Sequence, residues 1–158
     1  MNGIQMIKDK KIEFGSISLY IFKDDSILVI PIGLSERFGS YDLEIFLRLE
    51  VPYTDEQLEN LFDEAFGKCH SIEANDTSNI SPIEKFTGLR GYAKAVKGKR
   101  LVDLYWNDED GYIITPWKKG KPRGFNPVEG HIINLGLNPN KGELAAAFRE
   151  ALKWCEPY

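Results

Sequence analysis

At 158 residues and 18.0 kDa the chain has the size of one domain with a substantial core, and two full domains are excluded. Its residues are 42% hydrophobic, 28% charged and 12% aromatic, which is ordinary for a globular protein and unlike a disordered, collagenous or disulfide-scaffold chain. The formal charge of −4 and pI near 5.3 argue against a dedicated duplex-DNA or RNA binder, whose affinity comes largely from neutralising phosphates.

Met1 to Lys11 brings Lys8, Lys10 and Lys11 with no apolar run behind them, so no secretory signal is expected and the chain is placed in the cytoplasm. The longest apolar stretch, Ile27 to Leu34, is far short of the roughly 20 residues that span a bilayer, and no membrane association is expected. Lys11 to Phe22 and Ser26 to Ile32 are β-rich runs around the turn-forming Lys23-Asp24-Asp25, which predicts a hairpin. From Tyr41 to Val51, Leu43, Ile45, Leu47 and Leu49 alternate with Asp42, Glu44, Arg48 and Glu50, predicting one half-buried antiparallel strand in which Phe46 is the exception.

Thr54 and Gln57 have capping-box spacing, and Leu58, Leu61, Phe62, Ala65 and Phe66 recur as the buried stripe of the helix that follows. Its opposite face, Glu56, Glu59, Asp63 and Glu64, is expected to meet water. His70 to Pro82 is polar and turn-rich and predicts a loop. Tyr92–Val96, Leu101–Trp106 and Tyr112–Trp117, separated by Gly-containing connections, predict three successive antiparallel strands. After the basic stretch Lys118 to Gly124, a short strand His131–Leu135 leads to Asn140 and Glu143, a second capping-box start. Leu144, Ala147, Phe148, Ala151, Leu152 and Cys155 then keep one apolar face until Pro157. The expectation is a single α+β domain over residues 1–158, a mainly antiparallel sheet of six to seven strands with two main helices.

Catalytic motifs are sparse. His70 and His131 have no partners at metal-ligand spacing, Cys69-His70 has no orienting acid, and Gly120 to Gly124 lacks a phosphate-loop pattern. No catalytic residue, metal or cofactor is therefore assigned. Cys69 and Cys155 are expected as reduced thiols, Cys69 continuing the helix stripe. Asp108-Glu109-Asp110 reads as a hairpin tip or as a contact for a basic partner. Trp106, Tyr112 and Trp117 read either as cross-strand packing or, with Lys118, Lys119, Lys121 and Arg123, as a stacking platform for single-stranded nucleic acid. Residues 1–79 carry a net −8 and residues 80–158 a net +4, so the charge is polarised and the acidic part can steer a basic protein.

The order Ile113-Ile114-Thr115-Pro116, a basic loop ending Gly124-Phe125, a short strand around Ile132, and Gly142-Glu143-Leu144-Ala145-Ala146-Ala147-Phe148-Arg149-Glu150-Ala151-Leu152 resembles the CdiI-type immunity proteins of bacterial contact-dependent growth inhibition systems. Glu143, Leu144, Ala147, Ala151 and Leu152 match the terminal helix of that family, and Ala145 stands where it has Gly. The resemblance implies a non-enzymatic protein that neutralises a cognate toxin C-terminal domain, a nuclease, in a stoichiometric complex. The toxin contacts expected are Glu56, Glu59, Asp63 and Glu64 on the helix and Asp108, Glu109 and Asp110 at the tip. Trp106 and Tyr112 would be aromatic anchors. A single-stranded nucleic-acid module and a small carboxylate-dependent enzyme are the alternatives.

Overall fold

A computed structural model describes residues 13–121 and 123–158. The strands β1 (Phe14–Ile21), β2 (Ile27–Ser35), β3 (Gly39–Asp42), β4 (Leu47–Leu49), β5 (Arg100–Asn107), β6 (Gly111–Lys119), β7 (Phe125–Pro127) and β8 (Ile133–Gly136) form one antiparallel sheet. Its order is β3-β2-β1-β5-β6-β7, with β4 also on β2 and β8 also on β6. The helices are α1 (Asp55–Lys68), α2 (Pro82–Thr87), α3 (Tyr92–Val96) and α4 (Glu143–Leu152). This is the expected α+β domain with two main helices, α1 and α4, and the two short helices are additional. Residues 11 and 12 of the expected first strand, like Lys8 and Lys10, lie outside the described residues.

Alternation along the central strands builds two cores. Ile17, Leu19, Val102 and Leu104 point to one face, where the α1 stripe Leu58, Leu61, Phe62, Ala65 and Phe66 and the α4 residues Ala145, Phe148 and Ala151 cover them. Phe62 and Phe148 meet edge to face, 5.6 Å apart, and join the helices. On the other face Tyr20, Leu28, Ile30 and Leu101 pack under Ile83 of α2 and Ala95 and Val96 of α3. Strand β2 is thus covered on both sides, which is why its sequence is nearly continuously apolar.

Several local expectations are corrected. Tyr41–Val51 is not one strand: Ile32 faces Asp42 but Val29 faces Leu47, so the register slips by two residues across 43–46. The Leu43 N–H donates to Pro31 O (2.9 Å), and its side chain fills the space over Gly33, where a Cβ would come within 2.5 Å of Leu43 Cδ2. Glu44, in the slipped segment, accepts from Lys85 of α2 (2.5 Å) and from Asn75 (3.0 Å), tying the polar loop and α2 to the sheet edge. Tyr92–Val96 is a helix rather than a strand, because Ala95 and Val96 are needed together over the β2 surface; the third strand of the group is β1, beside β5. Lys118 and Lys119 belong to β6, and β7 pairs with them.

The capping box of α1 forms as expected, Gln57 N donating to Thr54 Oγ1 (3.1 Å) and Thr54 N to Gln57 Oε1 (2.8 Å). Helix α4 begins later than Asn140: Gly142 is its N-cap, with φ at +92°, while Asn140 donates its N–H to Glu143 Oε1 (2.7 Å) and its carbonyl accepts from Glu143 N (3.0 Å).

Candidate functional site

Strand register sorts the surface charges by end of the sheet. Phe14 faces Asn107 at one end and Ile21 faces Arg100 at the other, about 25 Å away at the rise of an extended strand. The first end gathers the β5–β6 tip, Asp108, Glu109 and Asp110. It also takes the last turns of α1 with Asp63 and Glu64, because Phe66 packs edge to face on Tyr112 (5.7 Å) and His70 Nε2 bonds Phe14 O (2.9 Å). Glu36, Glu73 and Asp76, with Arg37 as the one cation among them, line a shallow concavity beyond β2 on that side. The opposite end gathers Lys23, Arg48, Lys97, Lys99 and Arg100, and β6 delivers Lys118 and Lys119 to it. Polarity therefore runs along the strands, not between the two halves of the chain.

The acidic end is framed by hydrogen bonds within its turn. Asn107 Oδ1 accepts from Glu109 N (3.0 Å) and Asp110 N (2.6 Å), and Asn107 Nδ2 donates to Asp110 Oδ2 (3.2 Å). The turn closes on Gly111, whose φ of +78° and contact with the Gly136 carbonyl leave no room for a Cβ. These three acids are exposed at the tip, as are Asp63 and Glu64 on α1. Among the described residues neither Asp63 nor Glu64 sits in an ion pair.

Other residues singled out from the sequence have different surroundings. Glu59 is only partly exposed: its carboxylate accepts from Gly142 N (2.9 Å) and Ala145 N (3.1 Å), supplying the α4 N-terminus with acceptors that the helix lacks. Glu56, one turn earlier, is exposed and lies 3.6 Å from Lys141, toward the basic end. Trp106 and Tyr112 are cross-strand neighbours, and both lie half-buried against the α1/α4 core. Trp117, on the opposite face, packs with the α2/α3 core, where its indole N–H has no protein partner. The aromatic pair and the basic Lys118–Arg123 stretch sit at opposite ends of β6, so the nucleic-acid platform suggested by their closeness in sequence is not assembled.

Cys69 and His70 are structural. Cys69 Sγ, buried among the α1 stripe, donates to Ser16 O (3.3 Å); both cysteines are free thiols, and burial raises the Cys69 pKa. His70 takes φ of +60°, donates its N–H to Ile32 O (3.0 Å) and packs edge to face on Phe14 (5.1 Å). Burial holds its pKa below the ordinary value, and Nδ1 has no partner. His131 is not a strand residue: it precedes β8 and stacks on Trp154, centroids 3.6 Å apart. Among the described residues no three His, Cys, Asp or Glu side chains converge on a metal position.

A pair of carboxylates escaped the sequence reading. Asp103 of β5 and Asp42 of β3 lie on the α2/α3 side of the sheet, half-buried, near the Tyr20–Tyr92 hydroxyl pair (3.1 Å). Burial pushes Asp42 up to about 6; burial, reinforced by the charge of Asp42, pushes Asp103 up to about 7. Ser18 Oγ donates to Asp103 (3.4 Å), a long bond that offsets little of this penalty.

No protein-family profile and no curated protein matches the chain. Solved structures do match. A Neisseria meningitidis protein described as of unknown function superposes with a TM-score of 0.67 at 13% identity, over 90% of this chain and 96% of its own. A chain of the CdiA-CT/CdiI toxin and immunity complex from Yersinia pseudotuberculosis superposes with a TM-score of 0.65 at 14% identity, over 91% of this chain and 98% of its own. The likeness, at these identities, is one of fold. Among the described residues, no helix is long and apolar enough to cross a membrane.

Proposed function

We propose that this chain is an immunity protein: it binds the toxin domain of a contact-dependent growth inhibition system in the cytoplasm and neutralises it in a stoichiometric complex, acting by occlusion and not by turnover. The observation that carries this reading is the shared architecture, over nine-tenths of the chain, with a component of a toxin and immunity complex. The acidic end supports a nuclease as target, since an enzyme that grips phosphate presents a basic cleft and an acidic surface is complementary to it. The contact surface proposed is Asp63 and Glu64 of α1 with Asp108, Glu109 and Asp110 of the tip, and Glu56 as an outlying contact. Glu59, Trp106 and Tyr112 contribute by holding α1, α4 and the β5–β6 hairpin in register.

The test is to purify the toxin C-terminal domain encoded beside this chain, measure the complex by size-exclusion chromatography with light scattering, and titrate its nuclease activity. Activity is expected to fall linearly to background at one equivalent. A toxin domain that neither binds nor loses activity overturns the proposal, as does toxicity of this chain when it is expressed alone.

A further inference from the structure

The basic end holds a concavity that the proposed toxin contact does not use. It has a volume of about 370 Å³ and lies between the β1–β2 turn, β4 and the α3–β5 connection, with Lys23, Arg48, Lys97 and Lys99 in its lining and Asp24 as the one carboxylate among them. In a chain of net charge −4, four cations thus converge from three elements. The fold anchors two of them. Arg48 lies 4.7 Å over the Phe22 ring and 5.5 Å over Phe86 and donates to Ser26 Oγ (3.1 Å), while Lys99 Nζ lies 4.7 Å over the same Phe22 ring and donates to Ala95 O (2.8 Å).

Lys23 and Lys97 stand exposed at the rim. Gly98, at φ +76°, turns the chain between Lys97 and Lys99, and a Cβ there would come within 2.7 Å of Lys23 Cε, so the glycine also gives Lys23 its place. The nearby carboxylates are Asp24, engaged by Ser26 N (3.0 Å) and Ser26 Oγ (2.6 Å), and Glu50, which meets Arg48 from the exposed side (2.8 Å). Asp25 is paired with Arg100 (2.8 Å). The cations outnumber the acids that face them, and burial together with the charge of Lys23 lowers the Lys99 pKa.

We propose that this concavity binds a compact polyanion, the di- or triphosphate group of a small molecule. A single carboxylate can answer only one or two of the four cations, whereas linked phosphoryl groups offer several charged oxygens within the span of the site. The volume lies at the lower end of small-molecule sites, about 300–1,000 Å³. Phe22 already carries Arg48 and Lys99, so the recognition is of charge and not of a stacked base.

The test is calorimetric titration of the full chain, without toxin, with inorganic pyrophosphate and inorganic triphosphate. Saturable one-site binding is expected, weakened about tenfold by Lys97→Gln and again by Lys99→Gln, and weakened by raising salt from about 0.05 M to about 0.5 M. ADP binding as tightly as pyrophosphate supports the site, the diphosphate then being the recognised part; markedly tighter ADP binding overturns recognition by charge alone. Lys118→Gln with Lys121→Gln should leave binding intact. No saturable binding up to about 10 mM overturns the proposal. So does an unchanged affinity in Lys97→Gln, whose exposed side chain is not needed for folding, or an equal loss in the Lys118/Lys121 variant, which would mean diffuse attraction. Because the toxin is absent, failure here leaves the immunity reading standing, and the reverse also holds.

Discussion

The two ends of the sheet differ in how their charges are held as well as in sign. At the acidic end the charges ride on backbone pinned by Asn107 and by the Gly111–Gly136 contact, and on the last turns of a helix whose stripe is buried. At the basic end the charges sit on long stems, Lys23, Lys97 and Lys99, whose heads rest on an aromatic ring or stand in water. Fixed carboxylates at fixed spacing suit a protein surface of fixed shape, because little side-chain entropy is lost on contact. Lys23 and Lys97, exposed on long stems beside the anchored Arg48 and Lys99, suit a small anion that they can close upon.

The largest effect expected tests that difference. Gly111→Ala should destabilise the fold by about 3 kcal/mol or more, since it combines a positive φ with a collision against the Gly136 backbone and so displaces β8 from β6. Gly98→Ala at the basic end should cost only about 1 kcal/mol beyond which the Lys23 stem moves aside. Urea unfolding of both variants measures the contrast, and equal losses would remove it.

Between the ends, Asp103 gives the next largest effect. Its folded pKa of about 7 lies above its ordinary value of 3.8, so the folded state holds the proton more tightly than the unfolded chain. Its contribution favours folding below pH 4 and is lost as pH rises toward 7, and Asp42 adds a loss of the same sign up to about pH 6. Asp103→Asn, always neutral, should therefore be more stable than the parent by about 2 kcal/mol at pH 8 and indistinguishable from it at pH 4. Thermal melts at the two pH values check both halves of the statement.

Charge reversal at the acidic end comes third. Asp63→Lys with Glu64→Lys should slow association with the toxin domain about tenfold at low salt, with a smaller change at high salt and little change in dissociation. The same reversal at Lys118 and Lys121 should leave the rate unchanged or raise it. Stopped-flow binding at two ionic strengths distinguishes an acidic docking end from a generally acidic molecule.

Local signals carried the sequence reading where neighbours in sequence are neighbours in space. The Lys23-Asp24-Asp25 turn, with Asp25 at φ +70°, the Thr54 cap and the stripes of α1 and α4 are of this kind. The break in Tyr41–Val51 was hidden because a slip of two residues preserves a period of two, leaving the alternation intact across the gap. Tyr92–Val96 is too short for periodicity to separate helix from strand, and the packing of Ala95 and Val96 with Tyr20, Leu28 and Ile30 decides it. The charge split by halves was real, but strand register redistributes it: β6 carries Tyr112 to one end and Lys119 to the other. Asp103 did leave a signal. It shares a face with Leu101 while Val102 and Leu104 share the other, so a carboxylate sits within a strand that is apolar on both sides.

The smallest effect separates structure from contact within α1 itself. Glu59 and Asp63 are one turn apart and look equivalent in sequence, yet Glu59 is bound to the two α4 amides while Asp63 is exposed. Glu59→Gln keeps an acceptor oxygen but removes the charge that favours a helix N-terminus, and should cost about 1 kcal/mol of stability. Its toxin association rate should remain that of the parent, because a carboxylate turned inward onto α4 presents little of its charge to an approaching partner. Asp63→Asn should do the opposite, leaving the melting temperature in place and slowing association two- to threefold by the loss of one steering charge, about the smallest effect such kinetics resolve. Slowed association in Glu59→Gln with unchanged stability would restore Glu59 to the outer face and reduce its hold on α4 to a coincidence of packing.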